Sequence, residues 1–217
     1  MLYIVSTPIW NLEDITYRAV RTLKEVDFIA CEDTRTSWVL LKHYEIKNNL
    51  LSFHAHSDDA KLNKIINLLL EWKDVALISD AWTPWISDPA YNLVRKAIEN
   101  WIEVSPIPWA SALLSAIVWS WMHMHDFRFL WFLPIKKWRQ TLLNELKEKD
   151  YSAVIYESVH RMLRTLEDLE KIFWKDHHIV VARELTKKFE EFKRWTLEEC
   201  KCHFSKKWLK WEFVIIF

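Results

Sequence analysis

The chain has no glycine in 217 residues. Average usage is about 7%, so the absence is not a chance depletion. A fold needs residues without a β-carbon wherever the backbone turns left-handed or approaches a ligand closely. Cysteine is scarce: Cys31, Cys200 and Cys202 are few and odd in number. That excludes a disulfide framework and fits a reducing cytoplasm. Cys200-x-Cys202 alone is not a zinc site. The pairs His54-x-His56 and His123-x-His125 supply too few ligands for a metal on their own. No run of 18 apolar residues is present, so no membrane span is indicated. Met1-Leu2-Tyr3-Ile4-Val5 is too short, and lacks the basic flank, for a signal peptide. Low-complexity linkers and internal repeats are also missing.

What the chain has in excess is tryptophan, 15 residues of 217, close to the share glycine ordinarily holds. Trp72, Trp101 and Trp174 each follow a helical pattern, at the position that favours left-handed backbone. Trp10, Trp82, Trp85 and Trp109 lie in loops after predicted strands. A bulky residue in left-handed backbone costs roughly 1–2 kcal/mol, against a total stability of about 5–15 kcal/mol. The pattern implies that these tryptophans are glycines in the cell, from a UGA codon that some bacterial lineages read as glycine.

Net charge is zero but uneven. Residues 1–111 carry 11 Lys/Arg and 15 Asp/Glu, a net of −4, and residues 112–217 carry 19 and 15, a net of +4. The second half is the better face for a polyanion.

The organising stretch is Val75 to Tyr91. An apolar strand, Val75-Ala76-Leu77-Ile78, runs into a loop with Asp80, Pro84, Asp88 and Pro89, and then into a helix. Strand, polar loop and helix is how parallel sheets present ligand sites at the carboxyl ends of strands. Strands are predicted at Leu2–Val5, Asp27–Cys31, Leu50–Phe53, Val75–Ile78 and Ile102–Val104, alternating with helices, which implies parallel βαβ units. After Pro106-Ile107-Pro108-Trp109-Ala110-Ser111 the pattern changes. Further strands are predicted at Phe127–Leu130, Ala153–Tyr156, Ile179–Ala182 and Glu212–Phe217, with helices at Gln140–Lys147 and His160–Phe173. The expected fold is α/β in two domains. Residues 1–111 form a mostly parallel sheet with flanking helices, and residues 112–217 a mixed sheet.

Charged clusters sit at strand ends: Glu32, Asp33 and Arg35; Glu157, His160 and Arg161; Arg183, Glu184 and Lys187. Lys136, Lys137 and Arg139 flank Trp138 and suggest a mobile basic loop, able to follow a polyanion backbone.

Several stretches resemble one family. Thr7-Pro8-Ile9-Trp10-Asn11-Leu12-Glu13-Asp14-Ile15-Thr16 is similar to its T-P-I-G-N-L-x-D-I-T, and Cys31-Glu32-Asp33-Thr34-Arg35 to its C-E-D-T-R. The central loop resembles S-D-A-G-T-P-x-I-S-D-P-G, with Ala90 in place of the last glycine. Pro106 to Ala112 resembles P-x-P-G-x-S-A. Tyr156 to Arg161 resembles Y-E-S-P-H-R, with Val159 departing from proline, and Ala182 to Glu191 resembles A-R-E-L-T-K-x-x-E-E. These are motifs of bacterial ribosomal RNA small-subunit cytidine 2′-O-methyltransferases, of the tetrapyrrole methylase superfamily. Family glycines fall at Trp10, Trp82 and Trp109.

The resemblance implies an S-adenosylmethionine-dependent enzyme, a homodimer without a metal, with the cofactor in a cleft between two α/β domains. Its substrate would be small-subunit ribosomal RNA or the small subunit. It places Pro8, Trp10, Asp80, Ala81, Trp82, Pro84, Ile86, Ser87, Asp88, Trp109, Ser111 and Tyr156 around the cofactor. Glu32, Asp33, Arg35, Glu157, Arg161, Arg183, Glu184 and Lys187 would serve the substrate and the chemistry. A tetrapyrrole methylase and a non-catalytic RNA-binding assembly factor are the alternatives.

Overall fold

A computed structural model of the chain describes residues 1–54, 59–80, 90–108, 111–122, 124–206 and 212–217. The chain divides into two compact units, Met1–Ser111 and Ala112–Phe217.

The first unit alternates strand and helix: β1 (Leu2–Val5), α1 (Tyr17–Glu25), β2 (Phe28–Cys31), α2 (Thr34–His43), β3 (Asn49–Ser52), α3 (Asp59–Leu70), β4 (Val75–Ile78), α4 (Ala90–Glu99) and β5 (Val104–Ile107). The strands are all parallel, in the order β3-β2-β4-β1-β5. Both faces of such a sheet are covered, so its strands read as unbroken apolar runs. In β4, Val75 and Leu77 enter the core shared with α3 and α4, while Ala76 and Ile78 enter the core shared with α1 and α2. Helices α1 and α2 carry the chain toward β3, and α3 and α4 carry it back toward β5. Right-handed crossovers in opposite directions must use opposite faces. The direction reverses between β4 and β1, and in an open sheet that reversal opens a crevice beyond the carboxyl ends of those strands.

The fifth strand lies further along the chain than Ile102–Val104. It contains Pro106, opposite Ile4 of β1. A proline is tolerated in an edge strand, where its missing N–H faces away from the ladder, and β5 is an edge.

The second unit contains α5 (Ala112–Ser120), β6 (Phe127–Phe132), α6 (Arg139–Lys147), β7 (Ser152–Glu157), α7 (Met162–Phe173), β8 (His178–Arg183), β9 (Glu191–Thr196), α8 (Leu197–Ser205) and β10 (Phe213–Ile216). Its sheet is mixed, in the order β6-β7-β10-β8-β9. Strands β6 and β7 are parallel, and the other pairings are antiparallel. Helices α6, α7 and α8 pack on one face and α5 on the other. Neither β9 nor α8 is among the predicted elements. Strand β9, Glu-Phe-Lys-Arg-Trp-Thr, is half charged because it is an edge, so it lacks the apolar run. Helix α8 does carry a readable start: Thr196 and Glu199 form a capping box.

Among the described residues nine have positive φ, and six are tryptophans: Trp72, Trp101, Trp121, Trp131, Trp138 and Trp174. Trp174, at φ 71° and ψ 158°, occupies a region populated essentially by glycine alone. Trp131, at φ 58°, sits where the β6–β7 register shifts between Phe129 and Phe132. A left-handed glycine is the usual first residue of one kind of bulge.

Candidate active site

The exits of β1, β2 and β4 meet at the reversal point of the first sheet. The Thr7 hydroxyl donates to the Ser79 carbonyl at 2.9 Å, tying the chain leaving β1 to the chain leaving β4. Ser6 N–H reaches the Ile107 carbonyl of β5 at 3.3 Å. Asp80 follows immediately, and its Oδ1 accepts the backbone N–H of Asp33 at 3.2 Å. One loop therefore braces the other.

Asp33 is also the N-cap of α2, where Oδ1 accepts from Arg35 N–H at 2.8 Å. The Arg35 guanidinium then grips both oxygens, Nε to Oδ1 at 3.1 Å and Nη2 to Oδ2 at 2.8 Å. Hydrogen bonds from the Arg35 side chain and backbone hold the Asp33 carboxyl at about 2. Asp80 moves the other way. Desolvation pushes its carboxyl up, the Asp33 N–H opposes, and the neighbouring Asp33 charge adds to the rise. Arg35 itself is 89% exposed, a cation held in a fixed direction at the rim. Glu32 is exposed beside it, Pro8 is buried, Trp10 is half exposed and Ser111 half-buried. The expected cofactor residues Ala81, Trp82, Pro84, Ile86, Ser87, Asp88 and Trp109 lie outside the described residues.

In the second unit the charged clusters share one end of the sheet. Strand β10 pairs with both β7 and β8, and its Phe213 sits opposite Glu157 on one side and Arg183 on the other. The Tyr156 hydroxyl accepts from Leu113 N–H at 3.2 Å, at the start of α5. Arg183 pairs with Glu191 at 3.3 Å, and that carboxylate also meets Lys193 at 3.5 Å and His203 at 2.7 Å. The Lys187 ammonium lies 3.4 Å from buried Glu184. Burial pushes Lys187 below the usual lysine range, against the pull of Glu184. Glu184 and Thr186 have φ of 56° and 66°. Strain of this kind collects at functional sites.

Glu157 has no exposed surface. One oxygen accepts from Ser158 N–H at 2.8 Å, with Arg161 at 3.4 Å, and the other accepts the Thr165 hydroxyl at 2.5 Å. It is buried and committed to these neighbours. Arg139 does not belong to an outward basic loop. It is 3% exposed and paired with Asp168 at 2.8 Å. The loop it flanks is pinned rather than loose, because the backbone carbonyls of Leu133 and Pro134 accept from Arg161 at 2.5 Å and Arg139 at 3.2 Å. Thr165 and Asp168 escape sequence reading, although both sit on the buried face of α7 with Met162, Leu166 and Leu169. Two polar residues three apart on an apolar face were the available signal.

Among the described residues no group of three or more His, Cys, Asp or Glu is placed to hold a metal ion. No described helix is long and apolar enough to cross a membrane.

Residues 1–201 match the family of tetrapyrrole (corrin/porphyrin) methylases. The chain is similar to the ribosomal RNA small subunit methyltransferase I of Thermotoga maritima, 47% identical over 206 residues, covering 95% of this chain and 92% of that protein. The protein of the same name from Halalkalibacterium halodurans is 45% identical over 216 residues, covering 99% of this chain and 74% of its own length. Among solved structures, diphthine synthase matches with TM-score 0.78 at 14% identity, over 99% of this chain and 88% of that one. A cobalt precorrin-4 methyltransferase matches with TM-score 0.72 at 13% identity, over 99% and 93%. These two likenesses show the fold.

Proposed function

Because the chain belongs to the tetrapyrrole methylase family, within its ribosomal RNA small subunit methyltransferase I branch, we propose that it methylates the 2′-oxygen of a cytidine ribose in small-subunit ribosomal RNA, with S-adenosylmethionine as donor. The observation that carries the site assignment is the meeting of Thr7, Asp33 and Asp80 at the reversal point of the first sheet. The donor set there fits the cofactor: a partly desolvated carboxyl, Asp80, suits an amine or ribose hydroxyls. When bound, S-adenosylmethionine supplies a sulfonium methyl group for in-line displacement.

The residues have separate tasks. Asp80, with Pro8 and Trp10 at the β1 exit, holds the cofactor, and glycine at Trp10 would let backbone come close. Arg35, aimed by Asp33, orients an RNA phosphate. Arg183, Glu184 and Lys187 serve the substrate from the second unit. The hydroxyl proton must leave as the carbon–oxygen bond forms. Glu157 and Arg161 act as positioning residues. The resemblance carries a cytoplasmic homodimer as the setting.

The test is transfer of labelled methyl to isolated small subunits, run beside a tetrapyrrole precursor. Label in the subunits alone supports the reading, and label in the tetrapyrrole alone replaces it with the small-molecule reading.

A further inference from the structure

Three guanidinium groups converge on three consecutive carbonyls of the loop between β6 and α6. Arg161 Nη2 donates to Leu133 at 2.5 Å, Arg139 Nη1 to Pro134 at 3.2 Å and Arg164 Nη2 to Ile135 at 3.5 Å. Behind them runs an unbroken buried chain. Arg139 Nε donates to Asp168 Oδ2 at 2.8 Å, and its Nη2 donates to the Thr165 hydroxyl at 2.8 Å. Thr165 donates to Glu157 at 2.5 Å, and Glu157 faces Arg161 Nε at 3.4 Å. The next residues of the loop, Lys136 and Lys137, are exposed.

We propose that the buried Glu157–Thr165–Arg139–Asp168 chain is a clamp that presents Lys136 and Lys137 in one fixed arrangement to an RNA phosphodiester backbone. It deepens the functional reading above and rests on it. Leu133 is buried and Pro134 half-buried, so Arg161 and Arg139 meet carbonyls that water reaches poorly. Ile135 is exposed and could leave its carbonyl to water, and Arg164 meets it all the same. Buried ion pairs are weak evidence for stability, since apolar residues often replace them without loss. What they do supply here is a single loop geometry. The cluster also keeps excess charge: Lys136, Lys137, Arg139, Arg161 and Arg164 against Glu157 and Asp168. A rigid cationic tip suits a polyanion, because ordering lysines and a loop beforehand removes that cost from binding. Such contacts set register on the backbone and carry no base information. Thr165 and Asp168 are positioning residues, with no contact to RNA required.

The experiment is a double-mutant cycle in the full chain, made with glycine at the tryptophan positions. It reads KM and kcat for small subunits, the salt dependence of RNA binding, and cofactor affinity by calorimetry. Lys136→Ala with Lys137→Ala should lower the salt slope by about 1.4, at ~0.7 per single-stranded phosphate. Thr165→Val should raise KM about fivefold or more by releasing the loop, with kcat at saturation and cofactor affinity unchanged, and Thr165→Ser should restore KM. Added to the lysine double variant, Thr165→Val should cost nothing further, since the clamp acts through those lysines. Additive losses, or a KM that Thr165→Ser does not restore, would overturn the clamp while leaving the methylation reading intact. If Thr165→Val does not fold, Asp168→Asn takes its place under the same criterion. A parent protein that transfers no methyl to small subunits overturns the functional reading, and this inference with it.

Discussion

At the residue scale the tryptophans dominate. Of the ten within the described residues, Trp72, Trp101, Trp121, Trp131, Trp138 and Trp174 have positive φ. At roughly 1–2 kcal/mol each, the six cost about 6–12 kcal/mol, comparable with the whole stability of a domain. Trp10, Trp38, Trp119 and Trp195 carry no such demand, so the backbone argues for glycine at six positions and the family motif at Trp10. The chain made with glycine at all fifteen tryptophan positions should unfold cooperatively, well above the melting temperature of the chain made as written. Equal melting temperatures would refute the reassignment. The positions after helices were legible in the sequence because a helix end often takes positive φ, where glycine is favoured. Trp131 was not, because nothing in Phe127–Phe132 marks a bulge.

In the proposed assignment Asp80 takes the cofactor and Arg35 an RNA phosphate. Asp80→Ala should weaken S-adenosylmethionine binding roughly 10- to 150-fold, by loss of a charge-assisted hydrogen bond of about 1.5–3 kcal/mol. Arg35→Ala should leave cofactor affinity nearly unchanged and lower single-turnover transfer to RNA, since an orienting contact appears in turnover. Cofactor titration beside single-turnover kinetics checks both. Intact cofactor binding in the Asp80 variant would misplace the site.

Among elements, the order of strands in the first unit decides where chemistry can occur. Alternation of strand and helix was legible, because a doubly covered parallel sheet writes itself as apolar runs such as Val75–Ile78. The reversal between β4 and β1 was not, since strand order leaves no mark on local sequence. The edges misled for a different reason. Pro106 and the charges of β9 are both allowed at an edge, and both look like loop. In the second unit the helix–strand packing hides a network that local pattern cannot show, because its members come from β7, α6 and α7. Asp168→Ala removes one partner of the buried pair with Arg139. It should destabilise the protein by about 3–5 kcal/mol, as an uncompensated buried charge does. Replacing both Arg139 and Asp168 by apolar residues of similar volume should cost less. Urea unfolding of the single and double variants tests the order, and a double variant weaker than the single would contradict it.

Over the whole molecule, charge and chemistry divide between the units. The first unit, net −4, holds Asp80 and the sheet reversal, and the second, net +4, holds the pinned lysine loop and the Arg183 cluster. The sequence pattern changes after Ser111, and the compact units are Met1–Ser111 and Ala112–Phe217. The roles of the clusters were legible only as strand-end positions, because burial separates Glu157, which has no exposed surface, from Arg35, which is almost wholly exposed. The account stands on one chemical claim, that methyl reaches a ribose oxygen of small-subunit RNA. Small subunits from cells lacking the gene, treated with the glycine form of the protein and labelled S-adenosylmethionine, should yield label in 2′-O-methylcytidine after digestion to nucleosides. Label on a base, on another ribose or on no RNA at all would contradict it.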